Sequence, residues 1–218
     1  MPSAEPRPPR LRALPQPGHR EPARTGVPDG EYESIAFDFA PEESVLLTAA
    51  SLDECRLSAL ALPHLDLRSA RLINSRVDAF SAAQVSAAHS QWRATRLRQC
   101  RIGSLDLADA QLGNLSGDRL ALGYVNLSGA TLADVEFVEC DFGTIDALRL
   151  RARRVRFTRC TADELDLGAA VLEDVDLRGL DVRRMSGLDG ARGATVTPEQ
   201  MTALAPELAR AAGLRVHA

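Results

Sequence analysis

Lysine is absent from this sequence, and all 26 basic residues are arginine. Aromatic residues make up only 4% of the chain, which favours a narrow interior filled by smaller side chains over a wide globular core. No apolar run approaches the ~20 residues of a transmembrane helix, and none has the form of a signal peptide. We therefore expect no membrane association and a cytoplasmic location.

Residue combinations typical of active sites are missing as well. The histidines are scattered, and none has a serine, cysteine or carboxylate at the spacing of a catalytic pair. We predict a protein that is not an enzyme, and we assign no catalytic, metal-ligating or cofactor-binding residue and no cofactor. The net charge of −4 comes from interspersed acids and bases, which bears on solubility and names no partner.

The sequence does contain a repeat of five residues. It is clearest from Val125 to Thr144, which reads VNLSG, ATLAD, VEFVE, CDFGT. The third position of each pentad is Leu or Phe and the first is Val, Ala or Cys, whereas the other positions are mostly polar, small or charged. This period is neither the 3.6 of a helix nor the 2 of a simple strand, and it indicates a repeat architecture.

The same frame runs from Leu47 to Val182 without insertion or deletion. Positions whose numbers end in 2 or 7 hold fifteen Leu, three Phe, two Val, one Ile, one Trp, five Ala and one Gly. Positions from 45 to 180 ending in 0 or 5 are apolar or Cys, apart from Ser75, Ser90 and Thr95. No charged residue occupies either set, so two residues in five are predicted to point inward.

A five-residue unit cannot bury two apolar residues alone, whereas stacked coils bury them against their neighbours. Stacking would place equivalent residues ~4.8 Å apart, the spacing of strands in a ladder. Where the centre position is small, as at Gly117, the residue two places earlier is mostly large, as Leu115 is. Such an exchange of volume is expected in a close-packed core.

The motif that joins an apolar residue, Asp or Asn, and Leu or Phe recurs at Val125-Asn126-Leu127, Cys140-Asp141-Phe142, Leu165-Asp166-Leu167 and Val175-Asp176-Leu177. With this motif, roughly residues 32–187 resemble the pentapeptide-repeat proteins. The resemblance implies an all-β fold: a right-handed, four-sided parallel β-helix with twenty residues per coil and about 7–8 coils. The end of the chain, Thr195 to Val216, is similar to that of actinobacterial members of this family.

Three regions are predicted. Residues 1–30 hold eight of the twelve prolines and five arginines, and we interpret them as a passive, disordered tail. Residues 31–190 form the β-helix. Residues 191–218 form a short α-helical cap or a homodimer contact, with a helix start at Thr197-Pro198-Glu199-Gln200 and a stop at Gly213. Pro206 predicts either a kink or two short helices.

The four cysteines, at 55, 100, 140 and 160, all fall in one inward column. Cys140 and Cys160 would sit on adjacent coils, at a spacing that could allow a disulfide. Four thiolates in a column do not converge as a zinc site requires, and no secretory signal indicates an oxidising compartment. We interpret all four as buried, inert thiols.

Outward positions are where function could lie. One face is acidic and carries Asp66, Asp106, Asp109, Asp146 and Asp166. A basic belt holds six arginines within eleven residues: Arg149, Arg151, Arg153, Arg154, Arg156 and Arg159. Acids and arginines thus lie close together, which interrupts any single-sign surface.

The prediction is a structural or protein-interaction module with an unknown protein partner. The family resemblance implies one alternative, a DNA mimic that binds DNA gyrase or topoisomerase IV through the acidic face. A second alternative is nucleic-acid contact through the basic belt. Against the mimic, Asp or Asn before the centre residue could simply make turn and ladder hydrogen bonds. We expect replacement of Asp106 and Asp146 by Arg to leave stability nearly unchanged.

Overall fold

The computed structural model describes residues 5–15, 21–23, 27–39, 44–211 and 213. The chain is a mostly parallel β-solenoid of about eight turns with a single C-terminal helix. Successive coils are offset by twenty residues, since Val125 lies opposite Leu105 on one side and Ile145 on the other. The predicted fold class is confirmed, and the frame holds apart from a register irregularity between Leu57 and Leu62, where Ala59 lies opposite Phe80.

The strands are short because the chain bends at the corners of each coil. They are β1 (Glu21–Ala23), β2 (Glu31–Glu33), β3 (Ile35–Phe39), β4 (Val45–Leu46), β5 (Ser51–Asp53), β6 (Arg56–Asp66), β7 (Arg71–Ile73), β8 (Arg76–Ser86), β9 (Gln91–Arg93), β10 (Arg96–Arg98), β11 (Arg101–Asp106), β12 (Gln111–Asp118), β13 (Ala121–Asn126), β14 (Thr131–Val138), β15 (Asp141–Asp146), β16 (Arg151–Thr158), β17 (Cys160–Asp166), β18 (Val171–Asp176), β19 (Leu180–Ser186) and β20 (Ala194–Thr195). A short 3₁₀ turn spans Leu188–Ala191, and the helix α1 spans Pro198–Ala211.

The inward positions form one continuous hydrophobic core. The three polar exceptions in the inward frame are fully buried, and each hydroxyl is satisfied by the backbone, as buried polar groups require. The acceptors are the carbonyls of Ile73 for Ser75 (2.7 Å), of Ala87 for Ser90 (2.5 Å) and of Leu72 for Thr95 (3.3 Å).

Part of the core is filled by a cluster of aromatic rings. Phe137 stacks on Phe157 with centroids 5.4 Å apart, and Phe142 packs edge-on against both. A Cβ at Gly117 would lie 2.7 Å from side-chain atoms of Leu120 and Phe137, so these two residues occupy the space the glycine leaves. An apolar cavity of about 70 Å³ remains in the lumen.

Three corners of a central coil bend at a residue with positive φ, and the fourth does not. In the coil of residues 101–120, these residues are Asp109, Asn114 and Arg119, with φ of 55°, 54° and 52°. Strand β11 runs straight through the remaining corner at Ser104. Asp and Asn tolerate the left-handed conformation better than most residues, which explains their frequency at numbers ending in 4 or 9.

The C-terminal helix covers the last coil. Gln200 donates its Nε2 to the carbonyls of Leu177 and Leu180, both at 2.8 Å, and its Oε1 accepts from the Thr197 amide at 2.7 Å. The side chain therefore occupies ladder acceptors that a further coil would otherwise use. Pro206 lies inside one continuous helix, so the alternative of two short helices is wrong. Among the described residues, no helix combines the length and apolarity of a membrane span.

Part of the predicted tail lies on the solenoid. Residues 5–15 run along the outside and hydrogen-bond to several coils, and β1 pairs in parallel with β3 at the start of the solenoid. Residues 1–4, 16–20 and 24–26 fall outside the described residues. The division into tail, solenoid and cap, and the alternative of a dimer contact, stay predictions.

Candidate interaction surface

Four of the predicted acidic residues lie in one column, at equivalent positions of different coils. In each case the carboxylate accepts a hydrogen bond from the amide two residues further on, which is an Asx turn. The bonds are Asp66 to Arg68 (3.0 Å), Asp106 to Ala108 (3.1 Å), Asp146 to Leu148 (3.1 Å) and Asp166 to Gly168 (2.9 Å). Asn126 makes the same bond to Ser128 at 3.0 Å and belongs to the same column. We call these five residues the Asx column.

Further contacts occupy these side chains. The Asn126 amide donates to Asp106 at 2.9 Å, and the Ser128 hydroxyl donates to Asp146 at 3.2 Å. Asp66 is only 2% exposed, and its carboxylate holds the Arg68 guanidinium. These hydrogen bonds from Arg68 keep the pKa of Asp66 below its ordinary value. The side chains of the column are therefore largely engaged in hydrogen bonds within the solenoid.

Asp109 lies apart from the Asx column, at the next corner of the coil. Its carboxylate is exposed and lies 3.9 Å from Nδ1 of His89. A Cβ at Gly129, on the following coil, would lie 2.2 Å from the Asp109 carboxylate, so glycine leaves room for this side chain. The structure brings four of the five predicted acidic residues into one column and leaves the fifth at a neighbouring corner.

Half of the basic belt is paired within the solenoid. The Arg154 side chain is 6% exposed and binds the Asp134 carboxylate through Nε and Nη2, both at 2.6 Å. This contact lowers the pKa of Asp134. Arg159 pairs with Glu139 at 2.6 Å, and the Arg156 Nε lies 4.0 Å from Asp176.

The other three belt arginines, Arg149, Arg151 and Arg153, are exposed. Within the described part of the chain, none of the three forms a salt bridge. They lie at one end of the belt, so the positive charge that remains available covers much less of the coil than the sequence suggests.

Two exposed apolar residues flank these arginines and were not predicted. Leu148 is 36% exposed beside Arg149, and Val171 is 58% exposed directly opposite Arg151 on the next coil. We call Leu148, Arg149, Arg151 and Val171 the apolar-basic patch. The signal in the sequence was an apolar residue at numbers ending in 8 or 1, where the pentad normally places a polar one.

A shallow groove on another face has a structural explanation. Small residues Ala83, Gly103, Gly123 and Gly143 stack along it. A Cβ at Gly103, Gly123 or Gly143 would lie 2.6, 2.5 or 2.1 Å from the carbonyl oxygen of the preceding coil. The glycines are therefore required by the close approach of the coils.

All four cysteines, which lie within the described residues, are buried as thiols and not as disulfides. Burial raises the pKa of Cys100 to about 11. A hydrogen bond with Cys160, together with burial, raises the pKa of Cys140. The four thiols lie in the inward column. Among the described residues, no group of three His, Cys, Asp or Glu side chains could hold a metal ion.

Comparison with known proteins gives only distant similarities. No protein-family model matches the sequence. No curated protein matches it. The solved structures with similarity include full-length QnrB1, a plasmid-mediated fluoroquinolone resistance protein, with 17% identity, a TM-score of 0.30, and coverage of 87% of this chain and 99% of that one.

A second structure is HetL, a pentapeptide repeat protein involved in heterocyst differentiation regulation from the cyanobacterium Nostoc sp. strain PCC 7120. It shares 17% identity with a TM-score of 0.22, over 79% of this chain and 92% of that one. Scores this low support no inference about function. The pentad repeat and the solenoid of the chain itself are consistent with a pentapeptide-repeat family.

Proposed function

We propose that the protein is a non-catalytic interaction module that binds a protein partner through the apolar-basic patch. The observation that carries the proposal is the exposure of Leu148 and Val171 beside the exposed Arg149 and Arg151. The solenoid supplies a rigid support, because each of these residues follows or precedes a position fixed in the core.

The composition of the patch indicates the kind of partner. Arginine is enriched at the energetically important centres of protein interfaces, where apolar neighbours exclude water from its contacts. Arg149 and Arg151 lack an acidic partner within the described residues, so an acidic partner surface would supply one. We therefore expect a protein that presents carboxylates around a small apolar contact.

The test is capture of partners from the source cell by the tagged full chain. We expect Arg151→Glu to abolish capture of a specific protein that the parent chain retains. Arg71→Glu is the matched control, because Arg71 is exposed and occupies the same column four coils away. Equal capture by both variants, or a captured protein that is insensitive to Val171→Asp, would refute the assignment of the patch.

The topoisomerase alternative has weaker support in the geometry. From Asp66 to Asp166 the Asx column carries four carboxylates over five coil steps, or ~24 Å at ~4.8 Å per step. A DNA duplex of that length carries ~14 phosphates. We expect no inhibition in a supercoiling assay with gyrase or topoisomerase IV, and clear inhibition would favour the mimic over the patch.

The nucleic-acid alternative is tested separately. With Arg154 and Arg159 paired, the belt offers few free cations to phosphate groups. We expect no shift of duplex DNA at low salt. A shift lost on Arg149→Glu would favour nucleic-acid binding instead.

A further inference from the structure

Residues 5–15, which we call the strap, follow one corner of the solenoid along its axis. This corner is formed by the left-handed residues Asn114, Asp134, Arg154 and Asp174, one per coil, which we call the corner column. Three strap amides donate to it: Arg7 to Asp174 (3.2 Å), Arg10 to Asp134 (2.8 Å) and Arg12 to Asn114 (2.7 Å). Backbone donors thus meet side-chain acceptors on three different coils.

Nearer the N-terminal end of the solenoid, the polarity of the contacts is reversed. The carbonyl of Arg12 accepts from the Arg96 guanidinium, and the carbonyl of Pro15 accepts from Arg76 Nη2 at 3.1 Å. The surface therefore offers acceptors to strap amides at one end and donors to strap carbonyls at the other. Such a pattern recognises an extended backbone in one direction.

Ion pairs hold the start of the strap, and the strap contributes a cation to some of them and an anion to another. Arg7 Nε lies 2.5 Å from Asp174 and its Nη2 lies 2.6 Å from Glu173. Glu5 accepts from Arg178 Nη2 at 2.9 Å. The hydrogen bonds and charge of Arg7 outweigh desolvation and lower the pKa of Asp174. The strap is thus matched in charge to the coils it crosses.

The spacing of the strap contacts matches the spacing of the coils. A proline-rich segment rises ~3.1 Å per residue, so the three residues from Arg7 to Arg10 span ~9 Å. Their acceptors, Asp174 and Asp134, lie two coils apart, which is ~10 Å. Three residues of an extended segment therefore advance by about two coils, and the contacts can repeat along the axis.

Proline suits this register. Pro8 and Pro9 lack an amide hydrogen and lie between the two donating arginines, where no donor is needed. Pro6 is buried, and Pro9, Leu11 and Leu14 are half-buried. Apolar and basic residues are thus interspersed along the strap, and these four apolar side chains are at least partly turned from solvent.

We propose that the corner column, together with Arg76 and Arg96, is a docking surface for an extended Arg- and Pro-rich segment, and that residues 5–15 of the same chain occupy it reversibly. Exposed ion pairs are weak and are screened by salt, and ordering the strap opposes docking, so release by a competing segment is feasible. The surface lies at a different corner from the apolar-basic patch and does not depend on the function proposed for that patch.

The first test measures amide exchange of Arg10 and Arg12 by NMR in the full chain. We expect exchange at least tenfold slower than in a free peptide of residues 5–15. Arg7→Ala and Asp174→Ala should each accelerate it at least threefold, and the double variant should be no faster than the faster single variant, because both remove one interaction. Asp109→Ala is the matched control, since Asp109 is a left-handed corner Asp on another face.

Exchange at free-peptide rates in the parent chain, or effects of the two substitutions that multiply, would overturn the proposal. Far-UV circular dichroism of each variant verifies that the solenoid is intact. Analytical ultracentrifugation identifies the occupant: a monomer with a protected strap supports docking within one chain. A dimer that dissociates on Arg7→Ala would overturn it in favour of strap exchange between two copies.

The second test supplies the segment from outside. A fluorescent peptide of residues 5–15 is added to the Arg7→Ala chain, whose own strap is weakened, and to the parent chain. We expect at least fivefold tighter binding to Arg7→Ala, weakened again when Asp174→Ala is added. Equal binding to both chains, or binding that ignores Asp174, would contradict a shared docking surface.

Discussion

Two polar columns run along this solenoid, and their contacts differ in direction. In the Asx column, which includes Asp106 and Asp146, each carboxylate turns back to its own backbone two residues on. In the corner column, Asp134 and Asp174 reach outward and accept amides from a segment more than a hundred residues away. Asp occurs in both columns, and the Asp residues of the two columns differ in their place in the pentad.

The position next to the centre residue lies on extended backbone, where an Asp side chain can close an Asx turn. The corner position has positive φ. We infer that acids before the centre residue are structural, whereas acids at the corners also contact segments outside their own coil, as Asp134 and Asp174 do. The following predictions test this difference, beginning with the largest expected effect.

Leu127→Asp should disrupt the buried five-residue frame that supports both columns. The side chain is 8% exposed, so the variant buries an unpaired charge, and we expect a loss of at least ~3 kcal/mol or outright unfolding. Leu148→Asp, at an outward position, is the control and should change stability by less than ~0.5 kcal/mol. Thermal unfolding followed by circular dichroism measures both, and similar melting of the two variants would reject the frame.

Within the corner column, the loss of stability on removing a carboxylate should depend on how deeply its partner is buried. Asp134→Ala removes the partner of the buried Arg154 guanidinium, so we expect a loss of ~1–3 kcal/mol in urea unfolding. Asp174→Ala is the comparison, since it releases the strap and leaves the solenoid intact. Its unfolding midpoint should not move, and a shift equal to that of Asp134→Ala would show that the strap is part of the folding unit.

In the Asx column, hydrogen bonding should matter more than charge. Asp146→Ala loses the bonds to the Leu148 amide and the Ser128 hydroxyl, so we expect a loss of ~1 kcal/mol. Asp146→Asn keeps an acceptor, as Asn126 does in the same column, and should stay within ~0.5 kcal/mol. These contacts argue against the expectation that replacement of Asp106 and Asp146 by Arg leaves stability nearly unchanged. Equal stability of Asp146→Ala and Asp146→Asn would support that expectation.

Mild acid should have the smallest effect. The pKa values of Asp66, Asp134 and Asp176 are lowered in the folded chain from the ordinary 3.8 by their arginine partners. A lowered pKa contributes stability that is fully present above the ordinary value and is lost as pH falls through the folded value. Melting temperature should therefore be nearly constant from about pH 7 to about pH 5 and should fall below about pH 4. A melting temperature that already falls near neutral pH would show that groups other than these three carboxylates control the pH dependence.

Much of the candidate surface was visible in the sequence, but its chemistry was not. The six belt arginines were found by their density, yet the pairing of Arg154 with Asp134 and of Arg159 with Glu139 depends on the stacking of adjacent coils. Leu148 and Val171 were not predicted, because a single apolar residue at an outward position carries no signal by itself. Their exposure becomes meaningful when the neighbouring coil places Val171 opposite Arg151.

The sequence by itself determined the coil. Two apolar residues in every five, held in frame from position 45 to 182, can all be buried only if the chain winds with that period, so the interior follows from local pattern and the hydrophobic effect. Only the tertiary structure decided where residues 5–15 lie and which charges stay free. Those outcomes depend on groups from coils far apart in the chain, and a proline-rich segment without an apolar period carries no local signal of the surface that will hold it.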